Sequence, residues 1–200
     1  MALSRSSRPR AADSPGPEEG LTRPDPWHRG LLLGLACLLL AGCAADRPPI
    51  HTVDRVDLDR FMGDWYVIAH IPTFIEDEAY NAVETYRLTE EGRVATTFTF
   101  REGGFDGERK TYTPTGFIRD RDSNAVWGMQ FLWPFKAEYR VIYLNGDYTR
   151  TIIGRTARDY AWIMAREPRI PEPAYRRLVD FLAEQGYDPS EIRKVPQRWE

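Results

Sequence analysis

Three histidines and two cysteines carry most of the reactive chemistry in this 200-residue chain, and they are poorly placed for catalysis. His28, His51 and His70 are far apart in the sequence, and no serine sits in a Gly-x-Ser-x-Gly elbow. Covalent catalysis needs a nucleophile beside a base, and a zinc site needs three or four converging ligands. His51 falls in a proline-containing stretch and His70 at the end of a strand pattern. Neither requirement is met, so the chain is expected to be no enzyme and to use no metal or cofactor. Its net charge of -3 includes no long basic run, which gives no support for nucleic-acid binding.

The two thiols have a different setting. Cys37 lies inside an apolar run, residues 31–40, which has the length of a signal-peptide core and is short for a membrane span. Leu40-Ala41-Gly42-Cys43 follows and matches a lipobox. Cleavage before Cys43 would leave it N-terminal and acylated, and several acyl chains on one residue anchor stably. Ala44, rather than Asp, then favours outer-membrane sorting with the domain facing the periplasm. Residues 1–42 read as leader and signal peptide, with 43–55 as a lipidated tether. The segment before the apolar run is unusually long. Either the leader is long or the assigned start lies upstream of the true one, and no Met occurs between Met1 and Met62. Loss of Cys37 with the leader would leave no pair for a disulfide.

The positioning elements come next. Segments 65–71, 82–88, 94–100, 109–118, 126–131, 137–144, 148–154 and 160–166 carry short strand patterns separated by turns. Asn145-Gly146 is the strongest hairpin signal among them. Eight short strands argue for an antiparallel barrel or sandwich. Pro173, Ala174, Leu178, Phe181 and Leu182 then take helical spacing, with Gly186 as the stop, predicting a helix over about 173–185.

Gly63-Asp64-Trp65 opens the first strand, Asp147-Tyr148 precedes the seventh, and Arg166 ends the eighth. Trp133-Pro134-Phe135 and Tyr139-Arg140-Val141-Ile142 lie between them. These motifs, in this order behind a lipobox, resemble the bacterial lipocalins, the outer-membrane lipoprotein branch of the lipocalin family. The resemblance implies an all-β fold with one C-terminal helix: an eight-stranded antiparallel up-and-down barrel. The domain would span 56–197 and its barrel about 63–168. It also implies that Gly63, Trp65, Asp147, Tyr148 and Arg166 are structural, with Arg166 lying across Trp65.

A barrel of eight strands can hold one small ligand. Strand parity and the resemblance together assign Phe98, Phe100, Phe117, Trp127, Met129, Phe131, Tyr139, Tyr143 and Trp162 to its lining. The implied ligand is an amphiphilic lipid, a lysophospholipid or fatty acid, carried or stored in envelope maintenance. Tyr hydroxyls, an indole N–H or Lys136 are candidates for meeting its polar head. Glu76-Asp77-Glu78 reads as a solvated acidic loop at the entrance, and Trp133 and Phe135 as apolar groups for a membrane surface or a dimer partner. A lipocalin-fold enzyme or a partner-binding structural lipoprotein is the alternative.

Overall fold

The computed structural model describes residues 49–73 and 75–199; Cys43, the leader and the start of the tether lie outside them. The one-turn helix α1 (Leu58–Phe61) is capped by Asp57, whose Oδ1 accepts from the Arg60 N–H at 3.3 Å. Gly63 then takes φ +93°, a conformation strained for any residue with a Cβ. The bend drops Phe61 into the barrel floor and starts β1 (Gly63–Ile71).

β2 (Ala79–Leu88), β3 (Arg93–Glu102), β4 (Arg109–Tyr112), β5 (Thr115–Ile118), β6 (Val126–Leu132), β7 (Phe135–Leu144), β8 (Arg150–Gly154) and β9 (Ala161–Ala165) follow. All pairings are antiparallel, and β9 returns to β1 through Tyr66↔Ala165 and Ile71↔Ala161, closing the sheet. β4 and β5 both pair with β3 and share one barrel position. The sequence reads residues 109–118 as one strand. The break falls at Thr113-Pro114, where proline has no N–H for the ladder, while Pro114 O accepts from the Thr96 N–H. The result is the expected eight-stranded barrel.

Two register shifts matter for the interior. One lies between Val67 and Ala69 of β1, the other between Val141 and Tyr143 of β7. Each inserts a residue and changes which later side chains point inward. The hairpin at Asn145-Gly146 is also longer than its two-residue signal suggests. Asn145 Oδ1 accepts from the N–H groups of Thr149 and Arg150 at 2.9 and 2.8 Å, so β8 begins at Arg150.

Helix α2 (Glu172–Glu184) buries Ala174, Leu178 and Leu182 against the outer face of the sheet. It ends in a Schellman motif: the Gly186 N–H reaches Ala183 O at 2.9 Å and the Tyr187 N–H reaches Leu182 O at 3.1 Å, with Gly186 at φ +87°. Beyond it, a short β10 (Arg193–Lys194), which the strand pattern does not predict, pairs with Ala69 and His70. Gln197 Nε2 then donates to Val67 O and Ala82 O, just past the point where the β1–β2 ladder ends. The C-terminal tail thus completes the hydrogen bonding of a parted seam.

Candidate functional site

The closed half of the barrel is filled. Phe61, Trp65, Tyr86, Trp127 and Tyr139 are all buried and meet ring to ring. Phe61 lies 5.1 Å from Trp65 and 5.6 Å from Trp127, and Trp127 stacks on Tyr139 at 5.1 Å with only 10° between planes. The indoles are tied to the backbone: Trp65 Nε1 donates to Phe61 O at 2.8 Å and Trp127 Nε1 to Asn124 O at 2.7 Å. Gly116 makes room for this plug. A Cβ there would come within 3.1 Å of Met129 Sδ and Val94 Cβ.

Arg166 seals the floor from outside. Its guanidinium sits 3.8 Å from the Trp65 ring centroid and donates to the carbonyls of Asp64, Arg60, Phe61 and Met62 at 2.6–3.0 Å. Tyr148, at φ +59°, takes the Asp57 N–H on its hydroxyl at 2.9 Å and lies under Arg60 at 4.0 Å. Asp147 is exposed beside it.

Above the plug is a polar layer. The Tyr86 hydroxyl donates to Glu84 Oε2 and is 2.6 Å from the Tyr139 hydroxyl. Burial, with a further contribution from the charge of Glu76, pushes the Glu84 carboxyl up to about 8. Burial and the nearby Glu84 charge likewise raise the Tyr139 phenol well above its ordinary value. Glu76 is itself buried in the wall and accepts from Trp162 Nε1 at 2.8 Å. His70, also buried, faces Trp162 across β1–β9 and lies 3.7 Å from Glu76 Oε1, beyond hydrogen-bond reach.

The open half holds a cavity of about 270 Å³. Phe98, Met129, Phe131, Tyr139 and Trp162 line it, together with Ile75, Ala137, Tyr160 and the polar Thr73, Glu76, Glu84, Glu138 and Arg155. Ligand sites usually measure about 300–1,000 Å³, so this space suits one acyl chain better than two. Glu138 accepts from the Thr156 N–H, the Thr156 hydroxyl and Arg140 Nε. Burial opposes its ionisation, yet these bonds hold the carboxyl below the usual range. Arg155 pairs with Asp159 at 3.2 Å and leaves its buried Nε without a hydrogen-bond partner among the described residues.

Four of the nine expected lining residues sit elsewhere. Phe100 is buried but packs on Phe98 and Tyr112, away from the cavity. Trp127 belongs to the plug. Phe117 faces outward because Gly116 holds the inward position of β5; its ring lies 3.5 Å beneath Lys136 Nζ. Tyr143 also faces outward, turned by the β7 bulge onto Phe181 of α2 at 5.4 Å. Lys136 is therefore not poised at the cavity, and Glu76 is not a solvated loop acid. Asp77 and Glu78 beside it are exposed.

Sequence reasoning missed Glu84. Its signal was present: Ala82, Glu84 and Tyr86 alternate, placing an acid in phase with core positions. At the mouth, the β6–β7 hairpin exposes Leu132, Trp133 and Phe135 at 70, 81 and 72 %. Among the described residues no group of three or more His, Cys, Asp or Glu is arranged to hold a metal ion.

A family model for the lipocalin-like domain matches residues 56–197. Temperature-induced lipocalin-1 of Arabidopsis thaliana is 29% identical over 161 residues, covering 76% of this chain and 85% of the plant protein. The outer membrane lipoprotein Blc of Escherichia coli K12 is 25% identical over 167 residues, covering 81% and 92%. In structure, the cockroach allergen Per a 4 aligns with TM-score 0.58 at 18% identity, covering 76% of this chain and 96% of the allergen. Insecticyanin from the tobacco hornworm aligns with TM-score 0.58 at 16% identity, covering 76% and 86%. The closed barrel, its arginine-sealed tryptophan floor and the match over residues 56–197 agree: this chain belongs to the lipocalin family.

Proposed function

We propose that this protein is a reversible carrier of one small amphiphilic lipid, a lysophospholipid or fatty acid, serving storage or transport in envelope maintenance. The apolar cavity above a solid floor carries this reading. Ordered apolar walls supply affinity at about 25 cal/mol per Å² buried, less the cost of ordering the ligand. Capture is noncovalent: the buried Glu84, Tyr86 and Tyr139 form one hydrogen-bonded chain, and among the described residues no nucleophile–base pair accompanies them. Cys43, acylated after cleavage of the 1–42 leader, would anchor the domain to the outer membrane, facing the periplasm. The naming of several relatives as outer membrane lipoproteins supports that placement. Lipid extraction and native mass spectrometry, followed by tryptophan-fluorescence titration, test the carrier. Saturable binding of one lipid per barrel is expected; no bound lipid and no saturation would refute it.

The exposed Leu132, Trp133 and Phe135 favour a second reading, an interaction lipoprotein that docks a partner or a second copy. It requires sedimentation as a dimer or complex that Trp133→Ser with Phe135→Ser returns to monomer. A wild-type monomer without lipid-independent partners would set it aside.

A further inference from the structure

A carboxyl at the floor of an apolar cavity is an unusual neighbour for the end of a hydrocarbon chain. Glu84 is 8 % exposed and lines the cavity wall. Its Oε2 takes the Tyr86 hydroxyl, while no hydrogen bond from the described residues reaches Oε1. An apolar ligand end seated there would strip that oxygen of water and return nothing, the costly case for a buried polar atom. Once Glu84 is ionised, a carboxylate end would add like charge beside it and Glu76. A donor end satisfies Oε1 of the ionised carboxylate, and a cationic donor does so most strongly.

We infer that the cavity selects a single-chain amphiphile carrying a protonated primary amine, bound with the amine inward against Glu84 and the tail toward Phe131 and the mouth. This deepens the carrier reading and rests on it.

The groups facing Glu84 decide how binding follows pH. Tyr86 lies on its own strand, Tyr139 on β7 and Glu76 on the β1–β2 connection, with His70 behind Glu76. Glu138 and Arg155, also on the cavity wall, are held by Arg140 and Asp159. β3 and β6 add only Phe98, Met129 and Phe131. With its pKa near 8, Glu84 is mostly protonated at pH 7. Pairing with an ammonium requires the carboxylate, so binding breaks the Glu84 O–H bond. That proton passes to the buffer, and the ammonium keeps its own three.

The experiment is calorimetric titration of the delipidated full-length protein with decylamine, decanol and decanoate, from pH 6 to pH 9. At pH 9, where Glu84 is ionised, decylamine is expected to bind at least tenfold tighter than decanoate and measurably tighter than decanol. Its affinity should rise about tenfold from pH 6 to 7 and level off above 8. Comparison of two buffers of different ionisation enthalpy should show nearly one proton released at pH 7 and little at pH 9. Glu84→Gln should flatten the ranking and abolish the release, with Phe117→Ser as the folded control outside the cavity. Decanoate or decanol binding as tightly as decylamine at pH 9 overturns the inference while leaving the carrier intact. So does proton release that survives Glu84→Gln, or its absence in the wild type at pH 7. Binding of none of the three overturns the carrier reading itself.

Discussion

The two halves of the barrel are built from the same kinds of residue and do opposite things. Below Glu84, five aromatic side chains, two of them backbone-tied indoles, fill the space, and Arg166 closes the outside through four carbonyls. Above it, Phe98, Met129, Phe131 and Trp162 line a void instead of filling one. The difference lies in where the rings meet: Phe61, Tyr86 and Trp127 touch one another from α1, β2 and β6, whereas Phe98 and Trp162 meet rings only on their own or adjoining segments. Aromatics that meet across the interior become structure, and those braced along their own strands become a wall.

Trp127→Ala should break the plug and have the largest effect, a loss of about 3–5 kcal/mol in urea unfolding. Glu84→Gln tests the boundary layer, with a sign set by pH. An ordinary carboxyl titrates near 4.5 and Glu84 in the fold near 8. Between these values the unfolded chain releases a proton that the folded chain keeps, so Glu84 erodes stability as pH rises from 4.5 to 8 and by a constant amount above. The variant should match wild type near pH 4 and exceed it at pH 8.5. At about 1.4 kcal/mol per unit of pH, the ceiling is roughly 5 kcal/mol. Denaturation at both pH values checks this.

Arg166→Met should cost about 2–3 kcal/mol by removing the cation–π contact and the carbonyl hydrogen bonds, without altering lipid affinity in the folded protein. Met129→Glu should weaken lipid binding at least tenfold, about 1.4 kcal/mol, by placing a charge in the wall. Phe117→Ser should change affinity by less than twofold, because that ring packs outside the barrel. Fluorescence titration distinguishes these last two.

Much of the frame was legible in the sequence. Strand alternation, the Gly63 bend, the helix stop at Gly186 and the inward face of β3 all follow from local patterns that tertiary packing did not override. The lining was less legible because alternation is a local rule and bulges are not. Tyr143 shares parity with Tyr139 until the β7 bulge turns it out. Phe117 looks like a wall residue until Gly116 is seen to hold the inward position. Trp127 points inward as read, but only the surrounding rings show that it belongs to the plug. Glu76 reads as a solvent-facing acid because charge alone suggests exposure; its burial is decided by a partner far away in sequence, Trp162.

The account stands most directly on where a lipid binds. Native mass spectrometry of the delipidated protein, titrated with a single-chain lysophospholipid, should show one lipid per barrel. Met129→Glu should abolish that complex, and Phe117→Ser should retain it. A barrel that takes up no lipid, or binds equally well with Met129→Glu, would contradict the assignment of the open half as a ligand cavity.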